Sequence, residues 1–192
     1  MNQVIDLNYL ESLNPCKERL YSFTNNYPKF SGTWSEFLDL ENVTYNDKIW
    51  VARRFLNTNQ LIHFAILCAD SVSHIFNNKY PNDNRVNNLL NYLKEIKDFT
   101  RITEEQRTKI RELRYAADAA AAAAYAADAD AADAAAAYAA DAAAYAAAAD
   151  AADADADAAD AAYAADAAAA AAYARKSQQN LNITFLKAVE EL

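Results

Sequence analysis

The sequence predicts an all-α fold, a helical bundle in which short N-terminal helices are followed by long alanine-rich helices. Three observations support this. The 192 residues include one Gly and three Pro, apolar residues recur at spacings of three and four, and no segment shows a convincing strand-like alternation. The segment 115–174 consists of 43 Ala, 11 Asp and six Tyr, and alanine has the highest intrinsic helix propensity. We expect an N-terminal region, 1–102, and a long-helix region, 103–192, to pack together as one domain.

Capping residues mark the starts of the short N-terminal helices. Asn14 precedes a proline, which predicts an N-cap with proline at the first helical position. Thr33 and Glu36 have the spacing of a capping box, and Asp47 is predicted to open another short helix. Short helices joined by Asn-rich turns follow from this pattern.

Thr58 opens a stronger amphipathic helix, which we expect to end before Pro81 because proline disfavours helix at the preceding residue. Its apolar face consists of Leu61, Ile62, Ala65, Cys68, Val72, Ile75 and Phe76. The apolar face of the following helix is predicted to contain Val86, Leu89, Leu90, Leu93 and Lys97. Thr103 and Gln106 then form a capping box for a helix that runs into the alanine-rich segment.

The alanine-rich segment is too long for one helix in a compact protein, since 60 helical residues would span about 90 Å. Aspartate is a poor mid-helix residue and a good N-cap, so its clusters are the expected breaks. The sequence predicts three helices, at roughly 103–127, 131–151 and 158–190. The tyrosine rings would supply most of the buried area between alanine faces that approach closely.

The net negative charge of the chain comes from this segment. Residues 1–114 hold 15 basic and 14 acidic residues, whereas 115–174 hold 11 Asp and no basic residue. Such clustered carboxylates favour a cationic partner through charge complementarity, and the opposite field disfavours direct nucleic-acid binding. We predict a binding surface made of Tyr125, Tyr138, Tyr145, Tyr163, Asp128, Asp130, Asp133, Asp141, Asp153, Asp157, Asp160, Arg114 and Arg175.

Alternatives to a protein partner stay open at this point. Tyrosines could stack on a nucleobase while arginines at the borders of the segment bind phosphates, which predicts a phage counter-defence protein that captures a nucleotide signal, and the acidic array could also mimic DNA. The aspartates could instead serve only to keep an alanine-rich helix in solution. A structural homo-oligomer is the third alternative.

The residues disfavour enzymatic chemistry, and we expect no metal and no cofactor. Asp153, Asp155 and Asp157 match the start of a calcium loop, but alanines occupy its glycine and glutamate positions. His63 and His74 lie on one helix with Cys68 and Asp70, an arrangement more typical of hydrogen-bonded side chains than of a metal site. A single glycine cannot form a phosphate-binding loop.

Two cysteines without a pairing pattern predict reduced, buried thiols and therefore the cytosol. The N-terminal ten residues carry no basic residue, so no secretory signal is expected. Aspartates interrupt the alanine stretches every few positions, so we expect no membrane span.

The segment Cys68-Ala69-Asp70 through His74-Ile75-Phe76, followed by Lys79-Tyr80-Pro81-Asn82-Asp83-Asn84-Arg85, resembles the Imm5-like family of immunity proteins. Members carry a similar Cys-Ala-acidic helix, a Lys-Tyr-Pro-Asp-Asp-x-Arg-like turn and then a long alanine-rich segment. Leu13-Asn14-Pro15-Cys16 and Asp47-Lys48-Ile49-Trp50 extend the likeness over most of the chain. The resemblance implies an all-helical protein of bacteria and phages that neutralises a toxin, and it brings no catalytic residues.

The turn within that resemblance is predicted to be structural. Asp83 is placed to cap the helix that starts near Asn84, and Arg85 is expected to pair with Asp70.

Overall fold

The structure, a computed structural model, describes residues 4–126, 140, 143 and 175–191. It confirms the all-α fold class. The described α-helices are α1 (Leu7–Ser12), α2 (Lys17–Asn26), α3 (Trp34–Leu38), α4 (Tyr45–Phe55), α5 (Thr58–Lys79), α6 (Arg85–Glu95), α7 (Glu104–Ala126) and α8 (Arg175–Ala188). Short 3₁₀ turns cover Phe99–Arg101 and Val189–Glu191.

One pair of very short strands was not predicted from the sequence. Strand β1 (Ile5–Asp6) pairs antiparallel with β2 (Ser31–Gly32), with Ile5 opposite Gly32. Two residues are too few to show an alternation of apolar and polar side chains, so no sequence pattern marked them. The pairing holds the start of the chain against the segment that leads into α3.

Helix α5 forms the centre of the core. Its buried side chains include Leu61, Phe64, Cys68 and Phe76, each at most 3% exposed. It packs against α6, α8 and both 3₁₀ turns, and α6 in turn packs against α7. The long apolar face predicted for this helix is therefore the surface on which α6 and α8 assemble.

Several predicted helix starts are confirmed at the level of individual hydrogen bonds. The Thr33 hydroxyl accepts from the Glu36 N–H at 3.2 Å while the Glu36 carboxylate accepts from the Thr33 N–H at 2.7 Å. Thr103 and Gln106 make the same reciprocal pair at 3.2 and 2.8 Å. These boxes satisfy backbone donors that the first helical turn leaves unpaired.

Two predicted helix starts were wrong in position. Asn14 is not an N-cap: it follows α1 with a φ of 55°, the left-handed conformation that asparagine tolerates after a helix. Helix α4 starts at Tyr45, and its N-cap is Thr44, whose hydroxyl accepts from the Asp47 N–H at 3.2 Å. Asp47 therefore lies inside the first turn.

Three further expectations about single residues were also wrong. Cys16 is exposed, because it occupies the turn before α2, whereas Cys68 is buried as expected. Lys97 is exposed and lies beyond the end of α6 at Glu95, so it does not belong to that apolar face. Arg85 pairs with Asp83, two residues away, and Asp70 pairs instead with Lys94.

The predicted long helices are described in part. Helix α7 covers nearly all of the first, and α8 lies within the third. From the second, only Ala140 and Ala143 are described, and both are helical and buried. The predicted breaks at 128–130 and 153–157 lie outside the described residues.

The C-terminal helix α8 is anchored to the N-terminal half of the chain. The Trp34 indole N–H donates to the Leu186 carbonyl at 3.1 Å, and the Asn182 amide donates to the Tyr45 hydroxyl at 2.8 Å. Trp34, Leu186 and Asn182 are fully buried. These contacts join residues more than 130 positions apart in the sequence.

Candidate functional site

The residues predicted to form a binding surface lie mainly beyond the part of the chain that is described. Outside it are Tyr138, Tyr145, Tyr163, Asp128, Asp130, Asp133, Asp141, Asp153, Asp157 and Asp160. Three others lie on described helices: Tyr125 near the end of α7, Arg114 in its middle and Arg175 at the start of α8. Their assembly into one site stays a prediction.

Acidic and basic side chains in the N-terminal half of α7 form ion pairs with one another. Glu104 lies 3.3 Å from Arg107 and 3.7 Å from Arg111, and Lys109 lies 3.4 Å from Glu112. Residues three apart are neighbours on a helix surface, which explains the pairs Glu104–Arg107 and Lys109–Glu112, while Arg111 reaches Glu104 from two turns away. Arg107 and Arg111, which precede the alanine-rich segment, therefore both pair with Glu104 of the same helix.

The C-terminal half of α7 buries some of its alanines and exposes polar side chains. Ala117, Ala120 and Ala121 are at most 1% exposed and belong to the hydrophobic core. Tyr115 is 65% exposed, and Asp118 is exposed as well. This face division follows helical periodicity, and it places Tyr115 and Asp118 at the surface.

Arg114 and Tyr115 are two described residues of this region that lie together. The Arg114 guanidinium carbon is 5.7 Å from the centre of the Tyr115 ring, within the range of a cation–π contact. Because the ring is exposed, the contact leaves most of it in solvent. The pair marks the point at which α7 passes from its charge-balanced half to its acidic half.

The two histidines of α5 are engaged in local contacts. The His63 ring nitrogen lies 3.2 Å from the Lys97 carbonyl, and its ring packs edge-on against Phe99. His74 lies 3.1 Å from the Ser71 carbonyl. The described residues contain no group of three potential ligands that could hold a metal ion.

The turn before α6 is held by a bidentate ion pair. Both Asp83 oxygens accept hydrogen bonds from the Arg85 guanidinium, at 2.6 to 3.1 Å, and Oδ1 also accepts from the Arg85 N–H. These hydrogen bonds lower the pKa of the Asp83 carboxyl and raise the pKa of Arg85. The N-cap of α6 is Asn84, so Asp83 precedes the cap position predicted for it, although its Oδ1 accepts from the first backbone N–H of the helix.

A pocket between α2 and α4 was not found by sequence reasoning. Its volume is about 90 Å³, and Leu20 and Phe23 of α2 face Val51 of α4 across it. Arg19 and Asp47 stand at its rim as an ion pair, 3.4 Å apart. The one available signal was α2 itself, an amphipathic helix with no buried residue and hence with incompletely covered apolar side chains.

Comparisons with protein-family models, curated proteins and solved structures found no match to this chain. The resemblance to immunity proteins therefore stays a prediction based on the quoted residues. Within the described ranges, no helix is both long enough and apolar enough to cross a lipid bilayer.

Proposed function

We propose that this chain is a non-enzymatic binding protein whose alanine-rich region sequesters a cationic protein, of the toxin or effector type that the family resemblance suggests. The observation that carries the proposal is the charge segregation. Residues 115–174 contain 11 Asp and no Lys or Arg, whereas 1–114 are close to neutral. Oppositely charged surfaces accelerate encounter and select the partner.

The described part of α7 supports this proposal. Before Tyr115, Glu104 and Glu112 form ion pairs within α7, and Glu105 has Lys109 four positions after it. Beyond Tyr115 no basic residue follows in the sequence until Arg175, and of the 11 aspartates only Asp118 has a basic residue, Arg114, within four positions. Uncompensated carboxylates raise the local negative potential and are available to a partner's Lys and Arg.

The burial pattern of α7 adds a second support. Ala117, Ala120 and Ala121 are taken up by the core, while Tyr115 and Asp118 remain accessible. On this part of α7 the buried alanines supply close packing, and Tyr115 and Asp118 are exposed groups that a partner could contact. Exposed tyrosine contributes large contact area at low cost in side-chain entropy.

The test compares two variants that change net charge equally at different places. One carries Asp118→Asn, Asp128→Asn and Asp130→Asn; the matched control carries Glu11→Gln, Glu18→Gln and Glu41→Gln, three exposed residues of the N-terminal region. Proteins captured by the wild-type chain are identified and purified, and their affinities are measured at about 50 and about 200 mM salt. We expect the first variant alone to weaken binding, and salt to weaken it at least about tenfold.

Two results would contradict the proposal. The first is capture that is insensitive to ionic strength or is weakened equally by both triple variants. The second is a melting temperature raised by cyclic or ADP-ribose-type nucleotides with no protein captured, which would indicate nucleotide sequestration, because a ligand that binds only the folded state stabilises it.

A further inference from the structure

We propose that the pocket between α2 and α4 binds a free α-amino acid with a compact aliphatic side chain, such as leucine or valine. None of the residues that line this pocket belongs to the acidic segment, and the proposal does not depend on the function proposed for that segment. Its components are an apolar cavity of limited size and an ion pair of opposite charges at the cavity mouth.

The volume of the cavity limits the size of the ligand's side chain. Its apolar lining comes from four helices, α1 to α4, and the loop before α4, and includes Leu10, Leu20, Phe23, Phe37, Val43 and Val51. An apolar cavity of about 150 Å³ accommodates benzene, so the volume of about 90 Å³ found here corresponds to roughly four carbon atoms. An aliphatic side chain of three or four carbons matches this volume, and an aromatic ring exceeds it.

The rim supplies both signs of charge in adjacent positions. Arg19 Nη1 lies 3.4 Å from Asp47 Oδ2, which also accepts a hydrogen bond from the Thr44 hydroxyl at 2.6 Å. Among the described residues this is the sole hydrogen bond of the Arg19 guanidinium, and Asp47 Oδ1 accepts none. The pair therefore retains several donors and one carboxylate oxygen for a ligand.

These charges favour a zwitterion over a singly charged ligand. A carboxylate bound to Arg19 alone would be repelled by Asp47, and an ammonium bound to Asp47 alone would be repelled by Arg19. An α-amino acid carries both groups on one carbon, so its carboxylate can bind the planar guanidinium while its ammonium donates to Asp47 Oδ1. Its side chain then enters the apolar cavity.

Trp50 provides a local reporter because it lines this pocket, whereas Trp34 is buried in the core. We expect L-leucine to shift the Trp50 indole N–H signal in a saturable manner in an NMR titration, with a Kd of about 1 mM, and to leave the Trp34 signal in place. 4-Methylpentanoate lacks the ammonium, 3-methylbutylamine lacks the carboxylate and glycine lacks the side chain. Each should bind at least about tenfold more weakly.

Two variants and one control test whether leucine binds in this pocket. Arg19→Gln should weaken leucine binding about tenfold, and Leu20→Phe should abolish it by filling the cavity. The matched control is Lys17→Gln, which removes an exposed charge on the same helix outside the pocket and should bind as the wild type does. Circular dichroism and melting temperature verify that each variant is folded.

The proposal is overturned if leucine causes no saturable shift up to about 20 mM. It is also overturned if the two singly charged analogues bind as well as leucine, or if Arg19→Gln and Lys17→Gln have the same affinity. Should Arg19→Gln fail to fold, Leu20→Phe and the analogue series each still decide the outcome.

Discussion

Replacing Trp34 by phenylalanine tests how the two ends of the chain are joined. The Trp34 ring is fully buried, and it stacks on Phe55 with ring centres 4.7 Å apart and on Phe37 at 5.9 Å. Its indole N–H donates to the Leu186 carbonyl at 3.1 Å, which links α3 to α8. Phenylalanine preserves an aromatic ring for stacking but has neither the donor nor the second ring.

The expected cost has two parts. Loss of a buried hydrogen bond that leaves the carbonyl without its side-chain partner costs about 1–2 kcal/mol. Removing part of a fully buried side chain adds about 1–2 kcal/mol for the space left behind, less than the full truncation of Trp to Ala. The free energy of unfolding should therefore fall by about 2–4 kcal/mol.

Urea unfolding measures the loss in the free energy of unfolding, and amide hydrogen exchange shows which helices are destabilised. We expect faster exchange in α8, since its link to α3 is weakened, and smaller changes in α6. The matched control is Trp50→Phe, at a half-buried position, which should cost less than Trp34→Phe. A free energy of unfolding within about 0.5 kcal/mol of the wild type for Trp34→Phe, or unchanged exchange in α8, would refute the reasoning.

Three further variants address α7, the turn before α6 and the contact between α5 and the C-terminal end. Ala120→Leu should lower the free energy of unfolding by about 1–3 kcal/mol in chemical denaturation, because Ala120 is buried. The control Ala119→Leu, at an exposed position, should change it by less than about 0.5 kcal/mol. Equal effects of the two variants would contradict the assignment of buried and exposed faces. Asp83 has its pKa lowered below the ordinary 3.8 by Arg85, so its contact stabilises the fold above that pH and is lost as the pH falls through the folded-state pKa. The difference in melting temperature between wild type and Asp83→Asn should therefore be present at about pH 6 and shrink by about pH 2.5, and a difference that grows on acidification would be inconsistent with the ion pair. Gln60→Leu should cost about 1–2 kcal/mol in thermal or urea unfolding, because the buried Gln60 amide donates to the Glu190 carbonyl at 3.1 Å; a neutral effect would argue against that contact.

Local signals predicted much of the helical architecture. The boxes at Thr33 and Thr103 and the end of α5 before Pro81 were correct because each depends on residues within one helical turn. Asn14 shows the limit of such signals, since asparagine is equally suited to a left-handed position after a helix and to a cap before one. Here Asn14 takes the left-handed position because α1, a helix of six residues, ends just before it.

The pocket at Arg19 and Asp47 could not be predicted from local patterns. Its two charged residues are 28 positions apart and lie on different helices, and each has an ordinary local explanation. Arg19 is an exposed residue of a surface helix, and Asp47 belongs to the capped first turn of α4. The acidic binding surface was predicted from composition, and ten of its thirteen residues lie outside the described residues.

The sequence by itself determined the all-α class, the main helix starts and the division of charge between the two regions. Those properties depend on propensity, capping and composition, which act over a few residues. The tertiary structure decided which alanines of α7 are buried, which carboxylate Arg85 binds, and that Trp34 meets Leu186 across the chain. Such contacts depend on how helix faces pack together, and packing is set by the shapes of side chains that are distant in the sequence.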